Sequence, residues 1–182
     1  MKKHNFTIGI ALALMLAGGL DRAEAKSRHF ISHYGATSVT GVIDTDGNGR
    51  PGSVNTGIAN TTLGQFFFQS ESESRPRLAT NVTCPAGTAE IPLLQALAVL
   101  TKESTGEQLF VTYTSGVQCF DPTTRTITFH GQGTFTGGTG RFVDATGTFE
   151  EDDTATLLVL DPQGHAFANI TGTLTGVWDG GD

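Results

Sequence analysis

The stretch Arg125-Thr126-Ile127-Thr128-Phe129-His130-Gly131-Gln132-Gly133-Thr134-Phe135 alternates between apolar and polar side chains. One face of the extended chain carries the apolar side chains of Ile127, Phe129 and Phe135. The other face carries the polar ones: Thr126, Thr128, His130, Gln132 and Thr134. A period of two is typical of a strand that is buried on one side only. The stretch therefore predicts a β-strand, with Tyr113, Phe129 and Phe135 as the best candidates for side chains that face an interior.

Strand-like runs separated by turn signals continue on both sides of this stretch. Asp121-Pro122-Thr123-Thr124 predicts a turn, because the fixed φ of proline suits the second position of a type I turn. The segment 90–102 fits a helix or a buried strand, and we favour a strand because a turn signal and another β-branched run follow it. The other predicted strands are 35–43, 63–72, 109–114, 142–150, 154–160 and 165–178. About seven or eight antiparallel strands with short connections indicate a sandwich or an up-and-down barrel.

Glycines inside the predicted strands favour the barrel. They stand at Gly131, Gly133, Gly147, Gly172 and Gly176. Glycine weakens strand pairing but permits the sharp bends of a closed sheet. A Gly-Thr-Phe or Thr-Gly-Thr phrase also recurs at 133–135, 146–149 and 171–174, and closure would remove the exposed edges of a threonine-rich sheet. We expect an all-β fold: a single antiparallel β-barrel of about eight strands.

The first 25 residues have the pattern of a secretory signal peptide. Lys2 and Lys3 precede an apolar run at 8–16, and Ala23-Glu24-Ala25 offers a small-residue cleavage site. The run is too short for a permanent membrane span, which needs about 20 residues. We expect a signal peptide at 1–25 and a single β-barrel domain at 26–182, exported to the periplasm or outside the cell. Removal of 25 of the 182 residues would leave 157.

Charge and composition exclude two classes of partner. The net charge is −7, and the sequence contains no basic run of five or more residues. An acidic chain without a basic patch argues against nucleic acid and anionic membrane surfaces as partners. No later segment is long and apolar enough to span a membrane.

Cys84 and Cys119 are the two cysteines of the sequence. In an exported chain, a lone pair is most simply one disulfide. The alternative is a reactive thiol pair, but neither a Cys-x-x-Cys motif nor metal-ligand spacing surrounds either residue. We expect a structural disulfide between them.

The run Phe135-Thr136-Gly137-Gly138-Thr139-Gly140-Arg141-Phe142-Val143-Asp144-Ala145-Thr146-Gly147 resembles the Gly-Gly-Thr-Gly-x-Phe-x-x-Ala-x-Gly stretch of plant dirigent proteins. More loosely, it resembles the corresponding hairpin of allene oxide cyclases. The resemblance implies an eight-stranded antiparallel barrel with an apolar central cavity, often assembled as a homotrimer. Thr146 stands where dirigent proteins commonly carry a cavity arginine, and we find no counterpart of their cavity carboxylates.

Asp44-Thr45-Asp46-Gly47-Asn48-Gly49 matches the first half of a calcium-binding loop. Oxygen ligands from Asp44, Asp46 and Asn48, followed by a glycine, suit a hard cation. The twelfth position, normally a bidentate glutamate, is Asn55, which excludes a full EF-hand. A calcium-binding turn and a turn whose side chains cap their own backbone both remain open. Calcium is the one cofactor that the sequence suggests.

Other polar residues give weaker signals. We expect His130 and His165 to face solvent, and Trp178 to be an aromatic side chain of the barrel wall or core. The acidic run at 150–153 predicts a solvated turn or a surface cation site in preference to paired carboxylates for acid–base chemistry.

No motif for a nucleophile elbow, a phosphate-binding loop, a zinc protease or a dinucleotide site occurs in the sequence. The first functional hypothesis is a non-catalytic barrel that binds a small apolar or aromatic molecule in its lumen. The second is a cyclase or isomerase of the allene oxide cyclase type, in which positioning of the substrate supplies much of the catalysis. The third is a structural exported barrel without a ligand.

Overall fold

The computed structural model describes residues 27–44, 52–75, 77, 80–163 and 165–180. These residues form eight strands and one short 3₁₀ helix, Gly140–Phe142. The strands are β1 (Arg28–Ile43), β2 (Gly52–Thr61), β3 (Gly64–Ser74), β4 (Ala89–Lys102), β5 (Gln108–Asp121), β6 (Thr126–Gly138), β7 (Thr146–Leu160) and β8 (Ala166–Asp179). Each strand pairs antiparallel with the next, and β1 pairs with β8 over 13 residue pairs from Arg28–Trp178 to Thr40–Ala166. The sheet is therefore a closed eight-stranded barrel, as the sequence predicts.

Two predictions about individual strands were incomplete. No strand was predicted at β2, whose sequence is poor in large apolar side chains. Gly57 explains part of this composition, because a Cβ there would lie 2.2 Å from the carbonyl oxygen of Gly35 on β1. The predicted strands 142–150 and 154–160 form one strand, β7, and Phe142 belongs to the 3₁₀ helix. The acidic run at 150–153 is not a turn: it lies in the middle of β7, between β6 and β8. The backbone of β7 therefore continues through the run with its side chains alternating between the two faces.

One end of the barrel is filled by aromatic side chains, which we call the aromatic plug: Phe30, Phe66, Phe135, Phe142 and Trp178. Phe30 and Trp178 lie at the beginning of β1 and the end of β8. The ring of Phe30 meets that of Phe135 edge-on at 5.4 Å, and the ring of Phe142 lies 5.7 Å from that of Trp178. Such tilted and edge-to-face contacts add to the stability gained by burying the rings.

At the other end, which we call the open end, β1, β3, β5 and β7 finish and β2, β4, β6 and β8 begin. Here Cys84 forms a disulfide with Cys119 of β5, with their Cα atoms 5.5 Å apart. The prediction of a structural disulfide is confirmed.

Glu90 organises the loop that carries Cys84. Its carboxylate accepts hydrogen bonds from the backbone N–H groups of Val82 at 2.7 Å, Thr83 at 2.7 Å and Cys84 at 3.0 Å. These bonds favour the ionised form and hold the pKa of Glu90 below its usual value. The loop is therefore fixed to the open end by both the disulfide and a carboxylate.

Some predictions concern residues outside the described ranges. The signal peptide at 1–25 and the metal-ligand candidates Asp46 and Asn48 belong to this group. Within the described part of the chain, no helix is both long and apolar enough to cross a bilayer.

Candidate functional site

A cavity of about 330 Å³ occupies the open end of the barrel lumen. Strands β4 to β8 give it a mainly apolar wall that includes Ala98, Phe129, Ala155, Leu157 and Ala168. Strands β1 to β3 give it a wall rich in hydroxyl groups, comprising Ser32, Ser38, Thr40, Ser53, Ser70, Ser72 and Ser74. The cavity is therefore two-sided, with apolar surface facing hydroxyl groups across the lumen.

Four polar side chains meet in the lumen, and we call them the tyrosine–carboxylate cluster: Tyr34, Tyr113, Glu151 and Asp153. Glu151 is buried, with 6% of its surface exposed. The hydroxyl groups of Tyr34 and Tyr113 donate hydrogen bonds to different oxygens of its carboxylate. The hydroxyl oxygen of Tyr34 also lies 3.1 Å from Oδ2 of Asp153. All four residues line the cavity, so the ionisable side chains among the described residues of its lining converge on one place.

Because side chains alternate between the two faces of β7, the carboxyl groups of Glu151 and Asp153 both lie on its inner face. Asp153 and the buried Glu151 are two residues apart, and side chains two apart on a strand share a face. Asp152 faces outward with 78% of its side chain exposed, and its Oδ1 lies 2.8 Å from Nδ1 of His130. The acidic run thus divides between a solvated face and a buried face.

Gly172 makes room for the cluster. It lies opposite Tyr34 in the β1–β8 pairing and opposite Asp153 in the β7–β8 pairing. A Cβ at this position would lie 2.4 Å from the hydroxyl oxygen of Tyr34 and 2.7 Å from Cβ of Asp153. These separations are far shorter than ordinary contacts between non-bonded atoms, so the cluster requires a residue without a side chain here.

Burial changes the acidity of all four groups. Loss of hydration raises the pKa of Glu151, and it also raises the pKa values of Tyr34 and Tyr113 well above those of free tyrosine. Loss of hydration and then the charge of Glu151 raise the pKa of Asp153 to about 7. A carboxyl group with this pKa changes its protonation state near neutral pH.

A count of the protons shows how each hydrogen bond of the tyrosine–carboxylate cluster can have one donor and one acceptor. Tyr34 has one O–H group, yet its oxygen lies close to both Glu151 and Asp153. If Asp153 carries a proton, it donates to the oxygen of Tyr34 while Tyr34 donates to Glu151. Every short contact then has a donor and an acceptor, and the cluster holds a single negative charge. The raised pKa of Asp153 agrees with this arrangement.

The structure separates the predicted interior aromatic residues into two layers. Tyr113 and Phe129 line the cavity, whereas Phe135 is 3% exposed and belongs to the aromatic plug. Their role in ligand binding stays a prediction.

The exposure of the two histidines and of the tryptophan agrees with the sequence-based expectation. His130 and His165 are exposed, as expected, although each lies beside a carboxylate, His130 at 2.8 Å from Asp152 and His165 at 2.7 Å from Asp161. Trp178 is a core residue, with 1% of its surface exposed.

The carboxyl groups of the cluster were missed at the sequence level. The expectation of a solvated turn at 150–153 was wrong, because these residues lie within β7 and Glu151 is buried. Phe149, Glu151, Asp153, Ala155 and Leu157 share one face of β7. The apolar residues on this face, Phe149 before the acids and Ala155 and Leu157 after them, are the sequence signal that could have predicted Glu151 and Asp153 to be buried.

The predicted calcium loop stays a prediction. Asp44 is exposed just after the end of β1, whereas Asp46 and Asn48 lie outside the described ranges. No group of three or more His, Cys, Asp or Glu side chains within those ranges is arranged to hold a metal ion.

No protein-family model matches the sequence, and no curated protein gives a significant match. Among solved structures, the chain is similar to a pterocarpan synthase dirigent protein. The identity is 16%, the alignment covers 85% of this chain and 90% of that one, and the TM-score is 0.33. The barrel assignment rests on the strand pairing itself, and the resemblance to allene oxide cyclases stays a prediction.

Proposed function

We propose that this protein is an exported barrel that binds a small apolar or aromatic molecule in its lumen. The observation that carries the proposal is the cavity of about 330 Å³ with one convergent polar cluster in it. Small-molecule sites are typically concave, mostly apolar and provided with a few placed polar groups. The volume lies at the lower end of the usual range of roughly 300–1,000 Å³, which suits a ligand of one or two rings.

The two walls of the cavity contribute differently to the free energy of binding such a ligand. An aromatic group against the wall of β4 to β8 would bury roughly 150–250 Å², as an aromatic side chain does. At about 25 cal/mol per Å² this burial is worth roughly 4–6 kcal/mol before the entropic cost of binding. The hydroxyl groups of β1 to β3 and the tyrosine–carboxylate cluster would then orient a polar substituent.

Filling the lumen tests the proposal. Ala36 is half-buried on β1 and lines the cavity, so Ala36→Phe should occupy space that a ligand needs. Thr37 is the next residue and is exposed on the outer face, which makes Thr37→Phe a matched control. We expect 2-phenylethanol to bind the unmodified protein and Thr37→Phe, and to bind Ala36→Phe at least tenfold more weakly, as measured by calorimetry. Equal binding to both variants would place the ligand outside the lumen and contradict the proposal.

A second candidate function is acid–base catalysis of the cyclase or isomerase kind. The observation that favours it is the pKa of about 7 for Asp153, in contact with Tyr34 within the cavity. A general acid or base works best when its pKa lies near the working pH. Asp153→Asn would then abolish turnover of a substrate while leaving its binding within a few-fold. Turnover that survives this change would remove Asp153 from the chemistry.

Export and assembly are part of the same proposal. The signal-like residues 1–25 and the disulfide support an oxidising destination outside the cytoplasm. Protein recovered from the host should begin at or near Lys26, and a start at Met1 would contradict cleavage. The homotrimer that the dirigent resemblance implies is a prediction that the native mass will decide.

A further inference from the structure

We propose that the lumen selects a cationic ligand: a small apolar amine whose ammonium group contacts Asp153 and Glu151. The proposal rests on the binding function above and names the ligand class for the same cavity. It predicts an order of preference in which an amine binds more tightly than the matching alcohol, and a carboxylate binds least.

The charges around the cavity are all of one sign. Glu151 and Asp153 are the charged side chains among the described residues that line it, and no lysine, arginine or histidine from the described ranges joins them. A cleft lined by one sign of charge and walled by apolar groups concentrates its field inside. An ammonium group would therefore supply the countercharge that the protein itself does not place in the lumen.

The groups that face Asp153 inside the lumen differ from those outside the barrel, where Asp153 also borders a surface pocket. Within the lumen it faces the acidic or neutral groups of Tyr34, Tyr113 and Glu151. On the outer side of the same wall lie Asp152 and His33. The ring of His33 is exposed and lies 3.1 Å from the hydroxyl oxygen of Thr173, and His33 does not line the lumen.

The apolar wall explains why the amine should carry a hydrocarbon or aromatic body. Phe129 and Asp153 are paired across β6 and β7, and both line the cavity. A ring held against Phe129 could therefore place an ammonium group at Asp153. A metal ion or a hydrophilic polyamine would leave this apolar wall uncovered.

Binding of an amine should release a proton. Near neutral pH Asp153 is partly protonated, and an ammonium group beside it favours the ionised form. The ligand arrives as an ammonium ion, the carboxyl group of Asp153 becomes a carboxylate, and its proton passes to solvent. Tyr34 and Tyr113 continue to donate their hydrogen bonds to the carboxylate of Glu151. Amine affinity should therefore rise with pH through about 7 and level off above it, as long as the amine stays protonated.

Three probes with the same phenyl body test the proposal: 2-phenylethylamine, 2-phenylethanol and 3-phenylpropanoate. Calorimetry at about pH 8 should give at least tenfold tighter binding for the amine than for the alcohol, and a smaller ratio at about pH 6. Asp153→Asn should lower the ratio of amine to alcohol affinity several-fold, with the Glu151 carboxylate left as the remaining negative charge in the lumen. Asp152→Asn is the matched control, because this outward neighbour does not line the lumen, and it should keep the ratio.

The outcomes separate the ligand class from the binding function. Alcohol binding as tight as amine binding, or an amine preference that Asp153→Asn leaves undiminished, would overturn the amine proposal and leave the binding function standing. Failure of both the amine and the alcohol to bind would contradict the binding function and the amine proposal together. Thermal unfolding of each variant shows whether the barrel is intact, and Glu151→Gln provides a second test if Asp153→Asn does not fold.

Discussion

Gly172 is the position at which a single methyl group should damage the tyrosine–carboxylate cluster. Gly172→Ala would place a carbon 2.4 Å from both Cζ and the hydroxyl oxygen of Tyr34. Tyr34 would have to move, and its hydrogen bond to the carboxylate of Glu151 would break. The backbone at Gly172 is not in the left-handed conformation, so Gly172→Ala tests the loss of space without adding backbone strain.

The expected cost follows from two effects. Overpacking a filled interior costs about 1–3 kcal/mol, and losing a hydrogen bond to a charged group costs about 1.5–3 kcal/mol. Restricting the unfolded chain by replacing glycine with alanine returns about 0.4–1 kcal/mol. We therefore expect Gly172→Ala to lower the free energy of unfolding by about 3 kcal/mol.

Urea denaturation followed by the fluorescence of Trp178, the single tryptophan of the sequence, measures this loss. Gly35→Ala on β1 is the matched control, because a Cβ at Gly35 would meet nothing within 4 Å. It should leave the free energy of unfolding unchanged or raise it by up to about 1 kcal/mol. In a Tyr34→Ala background Gly172→Ala should cost less than it does alone, because its main obstacle has been removed. A loss below about 1 kcal/mol for Gly172→Ala alone would refute the claim that the cluster depends on this gap.

Two further predictions concern pH and the disulfide. The pKa of Asp153 is about 7 in the folded chain, against about 4 for an ordinary aspartate. The folded state therefore binds more protons than the unfolded state between these values. The contribution of Asp153 to the free energy of unfolding should fall, by up to about 4 kcal/mol, as pH rises from about 4 to 7. Urea titrations across this range should show a flatter profile for Asp153→Asn but not for Asp152→Asn, and parallel profiles for all three proteins would contradict the buried position of Asp153. The disulfide closes a loop with a sequence separation of 35, so replacing Cys84 and Cys119 by serine should lower the free energy of unfolding by about 4 kcal/mol on the chain-entropy model. No change in the midpoint on adding reductant to the unmodified protein, with reduction verified by thiol titration, would count against that role.

The sequence predicted the barrel wherever local patterns were strong. At 126–135 apolar side chains or glycines alternate with polar side chains, and β6 has the predicted inward and outward faces. β2 was missed because Gly57 and its polar neighbours make a weak strand pattern. Gly57 is required by the close approach of β1, and that approach exists only once β1 and β2 have paired. The closing of the barrel by β1 and β8 joins distant parts of the chain, which no local pattern encodes.

The candidate site was harder to predict for a physical reason. Four consecutive acids are normally solvated, since burying a carboxylate is costly unless hydrogen bonds compensate. The compensation for Glu151 comes from Tyr34 and Tyr113, which are 117 and 38 residues away in sequence. The cost of burial is therefore offset by contacts that exist only after the barrel has closed. Phe129 and Tyr113 could be assigned to the interior from the sequence, but not the carboxylates that lie beside them.

Native mass spectrometry tests the central claim, that the lumen binds a small molecule, most directly. The protein should be isolated gently from its own host and measured again after incubation with 2-phenylethanol and with 2-phenylethylamine. We predict a mass above that of the processed polypeptide by one small organic molecule per barrel, and no such addition for Ala36→Phe. A bare polypeptide mass in all three preparations of the unmodified protein would contradict the binding function and favour a barrel with a purely structural role.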